Sequence, residues 1–193
     1  MTLPFTNLNY ARTYFLERAQ ELMAVNGTPW IFAGGTCLIE YLAKMKKGGR
    51  TDRFDFIDFV RSEMPAYANF HYSTPHRRVR RGGLFDMTDQ DLPEQMYYIL
   101  RCGLLHRFSL VPSSTEITNG GRLRSIWMIH QAAATQAHLS AISIPPDVPD
   151  SVVLISEVFI NDISTLINTL FGRTALHGNI LTCLNDCPPV FLF

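Results

Sequence analysis

A mainly α-helical bundle, with a small strand-rich excursion before its last long helix, is predicted by three features of the sequence. Apolar residues recur at helical spacing through the first hundred positions and again after residue 156. Between about residues 113 and 155 that spacing lapses, and Asn119-Gly120, Pro145-Pro146, Pro149 and β-branched runs take its place. Hydrophobic residues, 13 Phe among them, make up 47% of the 193, enough to fill a core. We therefore expect a single domain over 1–193, with a helical core at about 8–108 and 156–185 and a strand-rich insertion at about 113–155.

The first helix is predicted from Leu8 to Met23, where Leu8, Ala11, Phe15, Ala19 and Leu22 form one stripe. Gly27 closes it, and Pro29 suits the first turn of a second helix reaching about Lys46. Trp30, Ala33, Cys37, Leu38, Tyr41, Leu42 and Met45 fall on or near one face of that helix. Gly34-Gly35 lies inside it with no Gly-Lys-Ser/Thr following, so the pair predicts close approach of another helix and not a phosphate loop. A third helix is expected from Phe54 to Glu63, stopped before Pro65. Residues 71–91 read as irregular, a length of connection that is uncommon in a compact domain. Asp91 then serves as N-cap, Pro93 and Glu94 suit a first turn, and the helix runs to about Phe108. Strands are expected within 123–129 and 138–144 and at 152–155. Ser156-Glu157 opens the last long helix, which Gly172 ends, and a short helix follows at about 176–184.

Charge and cysteine content narrow the function. Seventeen Lys and Arg balance 17 Asp and Glu, so any nucleic-acid contact must come from a local patch and not from global charge. The first residues lack a basic region followed by an apolar run, and no apolar stretch reaches the roughly 18 residues of a membrane span. We expect a cytoplasmic protein with no membrane partner. Cys37, Cys102, Cys183 and Cys187 do not read as a disulfide framework, and Cys183-x3-Cys187 with His177 fits no common zinc spacing. Neither a metal nor a cofactor is expected.

Two stretches carry candidate chemistry. In His76-Arg77-Arg78-Val79-Arg80-Arg81, the arginines Arg77, Arg78, Arg80 and Arg81 would track a phosphate backbone. The acidic residues downstream (Asp86, Asp89, Asp91, Glu94) make a merely solvated loop the competing reading. The other stretch is the helix through Arg101-Cys102-Gly103-Leu104-Leu105-His106. Projected at about 100° per residue, Met96, Leu100, Gly103 and Leu104 face the core. Tyr98, Cys102 and Leu105 lie opposite, flanked by Arg101 and His106, which are about 140° apart. A symmetric dimer through Tyr98, Cys102 and Leu105 would gather two copies of Arg101 and His106 into one cleft. Tyr98 would then stack a base or pack the dimer seam. An alternative pairs Arg101 with Glu94 or another acidic neighbour.

The run Arg101 to His106 resembles the Arg-x4–6-His motif of HEPN-domain proteins, a class of helical-bundle domains. Leu38-Ile39-Glu40, Phe56-Ile57-Asp58-Phe59, Met64-Pro65-Ala66-Tyr67 and Phe159-Ile160-Asn161-Asp162 are similar to further elements of bacterial HEPN-like families, so the likeness spans roughly residues 30 to 170. The resemblance implies a HEPN-like bundle and metal-independent RNA cleavage of the toxin or phage-defence type. His106 would act as general base or acid for attack by the ribose 2′-OH, and Arg101 would hold the scissile phosphate. It further implies a homodimer, RNA as substrate and an antitoxin protein as partner. Many active members carry a polar residue after the Arg, where this chain has Cys102. The alternative is a non-catalytic RNA-binding or protein-interaction module of the same fold, in which this face only dimerises.

Overall fold

The computed structural model describes residues 7–25, 27–71, 91–107, 126–144 and 148–186. Its centre is the second helix, which other helices contact on several sides. Helix α1 (Leu8–Leu22) starts where the Asn7 side chain accepts the Asn9 N–H at 2.8 Å, and it buries Ala11, Phe15, Ala19 and Leu22. Helix α2 (Thr28–Lys47) has Pro29 in its first turn and Lys44, Lys46 and Lys47 in its last, where cations suit the helix dipole. It ends on Gly48 at φ 78°, a left-handed value that a side chain would disfavour. Trp30, read with the apolar face, stands 50% exposed instead.

Helix α3 (Arg53–Glu63) begins in a capping box, with Asp52 accepting from the Phe54 and Asp55 N–H groups and Asp55 reaching back to the Asp52 N–H. Pro65 ends it and also opens a one-turn helix absent from the sequence reading, α4 (Pro65–Ala68), because proline is tolerated at the first helical position. Helix α5 (Leu92–Gln95) starts from the Asp91 side chain, which accepts the Glu94 N–H at 3.0 Å.

The chain then continues as a π-helical segment over Met96–Arg107, where the expectation was ordinary α-helix. Its buried residues, Met96, Ile99, Leu100, Gly103 and Leu104, include every one placed on the core face by a 3.6-residue period. The apolar pattern therefore does not distinguish the two registers.

Strands β1 (Ile126–Ile129), β2 (Ala141–Ile144) and β3 (Val148–Ile155) form a sheet in the order β1-β3-β2. β3 runs parallel to β1, from Ile126 opposite Val152 to Ile129 opposite Ile155, and antiparallel to β2. It starts earlier than expected and passes through Pro149, which was read as a breaker. β1 pairs only from Val152 onward, and the ladder to β2 shifts between Ile142 and Ile144, so Pro149 sits at an irregularity that tolerates a missing N–H.

Helix α6 (Ser156–Gly172) follows β3 without a loop and buries Phe159, Ile163, Leu166, Ile167 and Leu170, as their spacing predicts. Helix α7 (His177–Asp186) adds Ile180, Cys183 and Leu184. The expected close approach at the glycine pair is found. A Cβ on Gly34 would collide with Leu22, and one on Gly35 would lie 2.5 Å from the Phe159 ring. Phe32 and Phe159 stack across this contact with ring centroids 4.9 Å apart.

The molecule is thus mainly helical, with a small sheet before its last long helix. Among the described residues, no helix is long and apolar enough to cross a membrane. The expected hairpin at Asn119-Gly120 and the apolar tail at 190–193 lie outside the described residues.

Candidate functional site

The π-helical segment lies against α2, and there Arg101 meets an acid. Its Nε donates to Glu40 Oε2 at 3.1 Å and its Nη2 to Oε1 at 3.3 Å, a two-point pair that matches a planar guanidinium to a carboxylate. The side chains are 23% and 21% exposed respectively, so the pair is largely withdrawn from water but still open on one side. Burial alone would lower the Arg101 pKa, but the hydrogen bond and charge of Glu40 outweigh it and hold the value above the usual arginine range. Glu94 is bonded by Arg61 at 3.2 Å, beside the Arg61–Asp91 pair at 2.6 Å.

Tyr97 lies beneath this pair. Its ring centroid is 5.8 Å from the Arg101 guanidinium carbon, a cation–π distance. Burial pushes the phenol pKa up, and its hydrogen bond to the Cys102 sulfur adds to that rise. On the α2 side, burial raises the Cys37 thiol pKa and the Glu40 carboxylate raises it further, while Arg101 and Lys44 pull it back. Cys37 and Glu40 of α2 therefore both feel the Arg101 guanidinium from one helix. The site joins a carboxylate, a guanidinium, a phenol and two thiols across two elements.

The helical register changes the sequence-based picture. In an i→i+5 helix the wider turn brings residues five apart closer together around the axis than an α-helix does. Tyr97 and Cys102, five apart, do touch. Arg101 and position 106 have the same separation, so they lie one turn apart on one side, in place of the splay expected from an α-helix. The side chain of His106 itself lies outside the described residues, as do Arg77, Arg78, Arg80 and Arg81. Tyr98, Cys102 and Leu105 are each half-buried within one chain. Tyr98 meets Tyr97 edge-on at 5.3 Å, and Leu105 packs partly on the core.

The sequence reading did not assign Glu40 or Tyr97 to the site. For Glu40 the signal was present: it is the one acid in the apolar run from Trp30 to Ala43, and a charge in such a run needs a partner. Tyr97 could have been found from its spacing, since residues four apart neighbour one another on an α-helix and an aromatic ring there can meet the Arg101 guanidinium. Elements quoted for the resemblance also meet in pairs. Glu40 meets Arg101, and Tyr67 of α4 donates its hydroxyl to Asp162 of α6 at 2.8 Å.

No family model, curated protein or solved structure matches this chain.

Among the described residues, no three His, Cys, Asp or Glu side chains are gathered as they would be around a metal ion. Cys183 is buried in α7 and His177 lies 3.1 Å from the Phe171 carbonyl through Nε2, while Cys187 lies outside the described residues.

Proposed function

We propose that this chain is a HEPN-like endoribonuclease that cuts RNA without a metal, of the toxin or phage-defence type, with Arg101 and His106 as the catalytic pair. The observation that carries the reading is the i→i+5 register, which sets positions 101 and 106 on one side of one helix beside a guanidinium already oriented by Glu40. The chemistry needs one group that titrates near neutrality and one cation that never deprotonates. His106 takes the proton of the ribose 2′-OH as its oxygen bonds to the adjacent phosphorus; the bond from phosphorus to the 5′ oxygen of the next nucleotide breaks, and the imidazolium returns the proton to that oxygen, leaving a 2′,3′-cyclic phosphate and a 5′-hydroxyl. Arg101 turns its open side to the non-bridging oxygens as charge builds there. A homodimer, phosphate-tracking by Arg77 to Arg81 and an antitoxin protein belong to the same proposal.

The second reading, a non-catalytic interaction module, is favoured by the other face of the same pair. Glu40 neutralises the Arg101 charge, and a phosphate must compete with a carboxylate for it. The test is cleavage of labelled RNA by the purified chain in EDTA. The nuclease reading expects cleavage that His106→Ala and Arg101→Ala abolish while the thermal transition is retained. Absence of cleavage by the wild-type chain, together with a dimer that Leu105→Asp dissociates, establishes the module reading in its place.

A further inference from the structure

Away from the Arg101 face, the turn before β2 aims a histidine into the protein. His138 is buried to all but 10% of its side chain. The next residue, Leu139, sits at φ 56°, a left-handed conformation that side chains disfavour. Two main-chain bonds hold the turn on β3: Leu139 N–H to the Val153 carbonyl at 2.8 Å, and Val153 N–H to the Ser140 carbonyl at 2.9 Å. The ring is then fixed at both nitrogens. Nδ1 accepts the N–H of Ile155 at 2.9 Å, so it carries no hydrogen. The ring hydrogen is therefore on Nε2, 3.0 Å from the Tyr67 hydroxyl oxygen, and that hydroxyl donates its own hydrogen to Asp162 Oδ2 at 2.8 Å.

The chain of bonds runs in one direction, from imidazole to phenol to carboxylate. No ring acceptor remains for a second proton. An imidazolium would set its new N–H against the N–H of Ile155, where β3 becomes α6. Among the described residues, the groups that face the ring are Tyr67 from α4, the Ile155 main chain from β3, and Asp162 from α6. Asp162 is the one charge among them, 3.8 Å from Nε2. The buried core draws on Ile126 of β1 and on Val152 and Leu154 of β3, and among the described residues on none of β2.

We propose that His138 is an acid-opened latch: a second ring proton breaks its bond from Ile155 and frees the turn at 137–140, with edge strand β2, from α4 and α6 while the helical core stays folded. Burial pushes the His138 pKa below its ordinary 6.5, and the Asp162 charge opposes that shift in part. Release also relieves the left-handed backbone at Leu139. The latch involves none of the residues proposed for RNA chemistry, and its test reads no RNA activity.

The test is amide hydrogen exchange of the full chain, corrected for intrinsic rates, from about pH 7.5 to about pH 5, the range in which histidines change charge. Protection at Leu139, Val153 and Ile155 should fall by about tenfold or more over that range while α1 and α2 amides hold theirs. The carbon-bound ring protons of His138 should titrate with the same midpoint. Asp162→Asn, which keeps an acceptor for Tyr67 but removes the charge that stabilises an imidazolium in the closed form, should lower the closed-form ring pKa further and deepen the loss of protection at about pH 5. Protection at Ile155 that survives to about pH 5 overturns the proposal, as does its loss together with the α2 amides.

Discussion

Truncating Glu40 and Arg101 to alanine, singly and together, measures what their pair contributes. Exposed ion pairs contribute about 0.2–1 kcal/mol, and hydrogen bonds to charged groups about 1.5–3 kcal/mol. This pair lies between those cases, since both side chains are near four-fifths buried and joined at two points, 3.1 and 3.3 Å long. We therefore expect a coupling energy of about 1–2 kcal/mol from the double-mutant cycle. Each single truncation should cost more than its share of that coupling, because it leaves the other, largely buried charge without its two-point bond. Urea unfolding of the four chains supplies the free energies, and in a domain of this size each 1 kcal/mol also moves Tm by about 2–4 °C. Additive single effects, with no coupling beyond about 0.3 kcal/mol, would refute the claim that this pair ties α2 to the π-helical segment.

Three further changes test the rest of the fold. Gly35→Ala places a methyl group 2.5 Å from the Phe159 ring and 3.1 Å from Ile163 Cδ1, and should cost about 1–3 kcal/mol by urea titration through overpacking of α2 against α6. Asp52→Ala removes the N-cap of α3 and its capping box, and should lower stability by about 1 kcal/mol, visible as a lower Tm at unchanged spectrum. Burial alone would raise the Glu63 pKa, yet its bonds from Arg173 and Lys46 hold it below the ordinary 4.5. A carboxylate with a lowered folded pKa stabilises above its unfolded value and loses that contribution as pH falls through the folded one. Wild-type stability should therefore decline as acid is added below about pH 4.5, and Glu63→Gln should flatten that part of the curve.

Much of the fold was legible because helix-forming signals here agree with burial. The Phe15, Ala19 and Leu22 stripe of α1 and the Phe159, Ile163 and Leu166 stripe of α6 both face the core, and Asp91, Pro93 and Gly172 mark ends the structure keeps. The glycine pair at 34–35 gave the helix contact. The one-turn helix after Pro65 was hidden because the same proline that stops α3 can start its successor. Pro149 misled because a proline argues against a strand only where its N–H is needed, and the irregular ladder opposite it removes that need.

The site was half legible. Arg101 could be read from its motif, whereas its bond to Glu40 depends on how two helices lie together. The register was not legible at all, since Met96, Leu100 and Leu104 are buried under either helical period.

That register is the claim on which the functional reading turns, and through-hydrogen-bond couplings report it directly. In a uniformly labelled sample, the amide nitrogen of His106 should couple to the carbonyl carbon of Arg101, and that of Cys102 to the carbonyl carbon of Tyr97. Couplings from those amides to Cys102 and Tyr98, the four-residue partners of an α-helix, would contradict it.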